Sequence, residues 1–310
     1  PPLLGVFFIA PGGGVWYDKT KRGRGAFMNI VTYATPGAFL ADNQAYLRDH
    51  EVEAQLNLGN AVAHREEPCG PELLFGKVEE QGRAVLLFGN TLPWSLCLNA
   101  PEEDVLVGAA AEALAVWLQR EGVAITGLHA REDLCQAFFP AYQGEFLLDT
   151  AMEILTLREL IPPACVPGLA RTATLADLET VARMLQAFQR EALGKETTLE
   201  AMAEKYAGRI REGKVYLFET PEGIPVSTAQ TSRELACGPC ISGVYTPPEH
   251  RRRGYCQTLV AHICRQRLAQ GAQCLSLFVD KANPSSNRAY RKIGFQTLSN
   301  SFDYRLKEET

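Results

Sequence analysis

The segment Val244-Tyr245-Thr246-Pro247-Pro248-Glu249-His250-Arg251-Arg252-Arg253-Gly254-Tyr255-Cys256 sets three arginines and a glycine between a strand pattern and a long helical pattern. A turn of this kind exposes free backbone N–H groups at a helix N-terminus, where an anion is attracted. Arg251, Arg252 and Arg253 add positive charge, and Gly254 lets the backbone approach a phosphate where a Cβ would intrude. The chemistry this predicts is a pyrophosphate cradle. Taken alone, the same residues also describe a solvated arginine run capping a helix, the commoner meaning of so short a motif.

A second segment shifts that balance: Asp280-Lys281-Ala282-Asn283-Pro284-Ser285-Ser286-Asn287-Arg288-Ala289-Tyr290-Arg291-Lys292-Ile293-Gly294-Phe295. Together the two resemble the GNAT superfamily of N-acetyltransferases. Its signature is Arg or Gln-x-x-Gly-x-Gly or Ala after the central strand, followed later by Asn, a short helix bearing Tyr, and Gly-Phe. Arg251-x-x-Gly254-x-Cys256 matches the first part, with Cys256, also small, where the signature has Gly or Ala. Asn283, Tyr290 and Gly294-Phe295 match the second, and the likeness covers about residues 169–307.

The resemblance implies acetyl-CoA as cosubstrate. By that likeness the backbone of Arg252, Arg253, Gly254, Tyr255 and Cys256 holds the pyrophosphate beside the charge of Arg251. The strand at Val244, Tyr245 and Thr246 pairs with the pantetheine arm, Asn283 hydrogen-bonds to that arm, and Ser286 joins the cofactor-binding set. Tyr290 protonates the departing CoA thiolate, as a phenol with a pKa near about 10 can at neutral pH. The implied reaction is direct attack of a primary amine, on a small molecule or peptide, upon the thioester. The alternative from another class is a non-catalytic acyl-CoA-binding or regulatory module; the presence of Tyr290 beside the cradle argues for the enzyme. The attacking amine must lose a proton, and Glu219 or Glu234 could take it, though both sit in turn-like positions.

Other signals compete. Cys237-Gly238-Pro239-Cys240 spells a redox pair, but it lies between strand patterns rather than at a helix start, so Gly-Pro reads as a hairpin turn. Nine cysteines, an odd number in a chain of this size, favour reduced thiols over a disulfide framework. His50, His64, His129, His250 and His262 show no paired spacing, and no metal is expected.

The elements that must position these residues follow from hydrophobic period. In the second half, strands are predicted at 169–173, 215–218, 224–229, 240–246 and 274–279, with a last strand pair near Phe295 and Phe302. Helices are predicted from Leu178, at 199–212, 254–270 and 286–292, the first opened by Thr174 and Asp177 as a capping box. The first half repeats the rhythm with a strand at 96–98, a helix at 102–119, a strand at 124–128, a short helix at 134–142, and strands near Phe146 and Ile154. There, acids (Glu102, Glu103, Asp104) replace the arginines, and Phe139 or Pro140 falls where Tyr290 would be. Carboxylates repel pyrophosphate, so this copy is expected not to bind acetyl-CoA.

The fold class expected is α/β: two GNAT-like domains, each a mixed, mostly antiparallel sheet flanked by helices. The boundaries are 28–160 for the degenerate domain, a Pro-rich linker at 161–168, and 169–310 for the catalytic domain. Met28-Asn29-Ile30-Val31 reads as a natural start, which makes residues 1–27 an N-terminal extension and a candidate artefact. The 310 residues are 46% hydrophobic and 22% charged, with a net charge of -5 that excludes a strongly basic nucleic-acid binder. No apolar run reaches the roughly 18 residues of a membrane span. The basic cluster Lys19, Lys21, Arg22 and Arg24 follows the apolar run instead of preceding it, the wrong order for a secretory signal. A cytoplasmic monomer or homodimer is expected, with no nucleic-acid or membrane partner.

Overall fold

The computed structural model describes residues 6–9, 15–18, 26–101 and 104–307. The chain divides into two compact units, one of Pro1–Met152 with Ser299–Thr310, the other of Glu153–Leu298. Each is a mixed, mostly antiparallel sheet flanked by helices.

The first unit contains β1 (Val6–Ile9), β2 (Val15–Asp18), β3 (Ala26–Thr32), α1 (Pro36–Asp42), α2 (Gln44–Asp49), α3 (Gln55–Ala63), β4 (Leu73–Glu80), β5 (Arg83–Thr91), β6 (Leu96–Asn99), α4 (Val107–Arg120), β7 (Gly127–Ala130), α5 (Glu132–Phe138) and the start of β8 (Phe146–Leu157). Neighbouring strands from β1 to β6 pair antiparallel, and β6 pairs with β7 in parallel. In β5, Leu86 and Phe88 pack in one core and Leu87 in another, so the strand is apolar on both faces.

The second unit holds the end of β8, then β9 (Leu169–Thr172), α6 (Leu178–Leu193), α7 (Leu199–Arg211), β10 (Val215–Glu219), β11 (Pro225–Glu234), β12 (Pro239–Tyr245), α8 (Tyr255–Ala269), β13 (Leu275–Asp280), α9 (Pro284–Lys292) and the start of β14 (Gln296–Leu306). From β3 to β8 and from β9 to β14 the order is the same apart from one extra helix: strand, helices, three strands, helix, strand, helix, strand. Strands β9 to β12 pair antiparallel and β12 pairs with β13 in parallel. Val215 and Leu217 point toward α6 and α7, joining Val181, Leu185, Met202 and Ile210. Tyr216 and Phe218 point the other way, toward Leu259, Val260 and Ile263 of α8. This period-2 division gives the sheet two helical layers.

Local signals agree with these elements. Asp177 Oδ2 accepts from Thr174 N at 2.7 Å and from Thr174 Oγ1 at 2.9 Å, the capping contact ahead of α6. Arg171 on β9 donates to both oxygens of Asp177, at 2.7 and 2.8 Å, and also to Glu219.

Several expectations are corrected. Residues 296–306 form one strand, not a pair, and so do residues 146–157. The helix expected at 102–119 is observed as Val107–Arg120; Glu102 and Glu103 lie outside the described residues. The strand expected at 124–128 is Gly127–Ala130, because Val123 N closes back on Leu118 O and Ala124 O accepts from Asn90 Nδ2. The expected 169–310 unit instead gains 153–168 and loses 299–310. Of the extension at 1–27, residues 6–9 and 15–18 are strands, and Ala26 and Phe27 open β3; Lys19, Lys21, Arg22, Arg24 and the triple glycine at 12–14 lie outside the described residues. Cys237 is bonded to Cys274 with Cα atoms 5.3 Å apart, which corrects the expectation of reduced thiols at this pair. Cys237 O accepts from Gln273 N and Cys274 N, so the backbone itself brings the two cysteines within bonding reach.

Asp177 is held well below the ordinary carboxylate range, chiefly by its hydrogen bonds to Arg171. Its stabilisation is therefore present above the unfolded value of 3.8 and fades as pH falls below it. Asp177→Ala is expected to cost about 1–2 kcal/mol in urea unfolding near neutral pH, with the deficit shrinking below about pH 4. A deficit independent of pH would assign the loss to something other than this carboxylate.

Candidate functional site

The second unit's sheet opens between β12 and β13. β12 and β13 pair at Cys240–Ser276 and Ile241–Leu277. Further along β12, Thr228 faces Tyr245 and Gln230 faces Ser242, so Gly243 and Val244 together oppose Ala229 alone. This β-bulge bends β12. Gly243 adopts φ 56°, and a Cβ there would lie 2.8 Å from Gln230 Nε2 and 3.2 Å from Leu185 Cδ2. Past the last paired residue, Val244, Tyr245 and Thr246 have no β13 partner. The result is a strand edge without a β13 partner, on which Tyr245 O accepts from Ser227 Oγ at 3.1 Å and Thr246 O from Arg251 Nε; an edge of this kind suits an extended, amide-bearing ligand.

At the mouth of this opening the chain turns into α8. Arg252 (φ 63°) and Gly254 (φ 83°) are both left-handed. Arg251 N donates to Pro248 O at 3.3 Å, and Thr258 N to Gly254 O at 3.0 Å. Between them, the amides of residues 252–257 have no hydrogen-bond partner among the described residues. Arg252 and Arg253 are exposed and make no ion pair with a described residue. A fan of free amides at the start of a 15-residue helix, with two unpaired guanidinium groups beside it, has the geometry and charge that suit an anion.

Arg251 has a different task. Its Nε donates to Thr246 O at 2.9 Å and its Nη2 to Glu191 Oε2 at 2.5 Å, while Tyr245 Oη donates to Glu191 Oε1 at 2.6 Å. The guanidinium also lies 5.6 Å from the centre of the Tyr245 ring. Hydrogen bonds from Tyr245 and Arg251 hold the Glu191 carboxyl below the usual range, and burial together with Glu191 pushes the Tyr245 phenol up to about 12. Arg251 thus fastens the turn to α6. Glu191 was not legible as a partner, since it stands in the polar last turn of a long helix.

The remaining residues are distributed as follows. Tyr255 stacks on Phe218 with ring centres 5.3 Å apart. Thr246 Oγ1 lies 2.9 Å from Ser227 Oγ. Asn283 caps α9, its Oδ1 accepting from Ser286 N at 3.1 Å, which leaves Nδ2 as its donor. Tyr290 is buried in α9, edge-on to Phe295, with its hydroxyl beside the Cys256 thiol. Burial drives its pKa well above 10, and the Cys256 thiol is pushed up to about 11 by the same cause, so both keep their protons at neutral pH. The two candidate bases are already engaged: Glu219 by Arg171, and Glu234 by Arg267 at 2.6 Å. Ser232 and Ser242 hydroxyls meet at 3.1 Å across β11 and β12. No cluster among the described residues is placed to hold a metal ion, and no helix of the described residues is long and apolar enough to cross a membrane.

In the first unit, the turn before α4 carries Asp104, which pairs with Arg83 and accepts from Leu106 N at 3.0 Å. A carboxylate thus already occupies a backbone amide where the second unit leaves its amides free. Pro140 lies in a short turn after α5.

Residues 230–304 match the family model of FR47-like proteins. Among solved structures, a GCN5-related N-acetyltransferase from Sphaerobacter thermophilus has a TM-score of 0.60 at 17% identity, covering 89% of this chain and 95% of that one. A GNAT-family acetyltransferase from Colwellia psychrerythraea has a TM-score of 0.57 at 10% identity, covering 90% and 100%. A tandem GNAT protein from the clavulanic acid biosynthesis pathway has a TM-score of 0.51 at 13% identity, covering 91% and 99%. No curated protein matches the chain in sequence. The chain has the GNAT acetyltransferase fold, and the likeness read from Arg251–Cys256 and Asn283–Phe295 falls within the segment that the family model matches.

Gly254 tests the turn. A Cβ at this position would meet Val166 Cγ2 at 2.9 Å, whereas Gly223 (φ 78°) has nothing within 4 Å. Gly254→Ala is expected to cost about 2 kcal/mol in urea unfolding and Gly223→Ala about 1 kcal/mol. Equal costs would show that the Val166 contact does not constrain the turn.

Proposed function

We propose that the second unit transfers the acetyl group of acetyl-CoA to a primary amine. The observation that carries this reading is the coincidence of two features: the parted strands β12 and β13, and the fan of free amides at residues 252–257 where that parting opens. The residues fit acetyl-CoA. The amides, with Arg252 and Arg253, would hold the pyrophosphate; the unpaired edge at Val244, Tyr245 and Thr246 would pair with the pantetheine amides; and Asn283 Nδ2 would reach the same arm. The cosubstrate supplies an acetyl thioester, a carbonyl open to direct attack by an amine.

Tyr290 acts as proton donor to the departing thiolate, since its buried phenol is still protonated at neutral pH. Because Glu219 and Glu234 are tied to arginines, neither is free to take the amine's proton. Acetyl-CoA is expected to bind the second unit only, because in the first unit Asp104 already accepts from Leu106 N at the corresponding turn.

Calorimetric titration with acetyl-CoA, together with CoA release from a panel of amines, tests this function. Binding with turnover is expected; binding without turnover of any amine would instead favour a non-catalytic acyl-CoA-binding module. Tyr290→Phe should lower kcat by about 10²-fold while changing acetyl-CoA affinity less than about twofold. Equal turnover in this variant would remove Tyr290 from the reaction. With its pKa well above 10, Tyr290 also predicts no alkaline fall in kcat up to about pH 9.5.

A further inference from the structure

The acetyl-transfer reading leaves the nature of the acceptor open, and α7 carries positive charge that this reading does not use. Lys205 is shifted below the usual lysine range, first by burial and then by the neighbouring charges of Arg209 and Lys195. On α7, Lys205 and Arg209 stand four residues apart, on one face of the helix. Lys205 makes no ion pair with a described residue, and the acids on its own helix, Glu200 and Glu204, are exposed and pair with neither Lys205 nor Arg209.

Their position links them to the site. Arg209 Nη1 donates to Gln230 Oε1 at 3.0 Å. Gln230 Nε2 in turn lies 2.8 Å from where a Cβ on Gly243 would stand, at the bulge that parts β12 from β13. A line of contacts thus runs from the bulge through Gln230 to Arg209, with Lys205 one helical turn away and its Nζ 5.8 Å from the centre of the Tyr206 ring. It lies on the α6 and α7 side of the sheet; α8, whose first amides form the anion site, covers the other side. An amine reaching the parted strands from the α7 side brings the rest of its molecule against these cations.

We propose that the acceptor is an amine that also bears an anionic group, a carboxylate or a phosphate, held by Lys205 and Arg209. The anion pairs with these two cations while directing the amine toward Gly243. This inference rests on the acetyl-transfer reading and specifies its substrate class.

Matched amines test it: an amino acid against its amide, and phosphoethanolamine against ethanolamine, which also separates carboxylate from phosphate. The anionic member of at least one pair is expected to have a kcat/KM about tenfold higher or more, and Lys205→Gln combined with Arg209→Gln should bring that ratio close to one. Acetylation of both members at similar kcat/KM in both pairs would overturn the inference and leave the enzymatic reading standing. If no amine is acetylated, the enzymatic reading fails on its own, and calorimetry with inorganic phosphate and with succinate decides the rest. Binding that is lost in the double variant supports the anion site; no binding to the unaltered protein overturns it. Should the double variant fail to fold by circular dichroism, Lys205→Gln, at an exposed position, serves for the same comparisons.

Discussion

The bulge at Gly243 is the constraint on which the site depends. A parallel pair such as β12 and β13 would, if continued, satisfy its own backbone groups and close the sheet. Two residues of β12 set against Ala229 turn the strand after Ser242, so pairing with β13 stops at Ile241 and Leu277. Side chains hold the bend in place: a β-carbon at 243 would crowd Gln230 and Leu185, and the left-handed backbone suits glycine. One local irregularity therefore leaves a strand edge open where the sheet would otherwise close.

The turn that follows is built with the same logic and then secured. Its free amides result from two left-handed residues in close succession, Arg252 and Gly254, a conformation that spreads N–H groups outward. Arg251 is turned away from those amides and locks onto Glu191 and Thr246, so one arginine of the three acts as a fastener and two supply charge. The first unit shows the contrasting case. It has the same element order apart from one extra helix, and a like parallel step from β6 to β7, but Asp104 accepts from Leu106 N and pairs with Arg83 at the equivalent turn. The two units thus share a fold while their turns before the long helix differ in backbone contacts.

What could be read from the sequence follows from the range over which each signal acts. Helices and most strands of the second half were legible from local pattern: β10 is a continuous apolar run buried on both faces, and α8 carries its buried residues at helical spacing. Arg251–Cys256 and Asn283–Phe295 were legible because each is one short, continuous segment. Glu191 was not: it lies 60 residues from Arg251 in the chain, and a glutamate in a polar last turn carries no local mark. The arginine partners of Glu219 and Glu234 were hidden for the same reason, and so was the pairing of Cys237 with Cys274 in place of its near neighbour Cys240. The bulge left only a faint trace, a glycine inside a strand pattern.

Amide hydrogen exchange with and without acetyl-CoA tests the central claim most directly. The account predicts that residues 252–257, together with Val244, Tyr245 and Thr246, become protected when acetyl-CoA is added, while the turn before α4 in the first unit is unchanged. Saturating acetyl-CoA that leaves the exchange of residues 252–257 unaltered would contradict it.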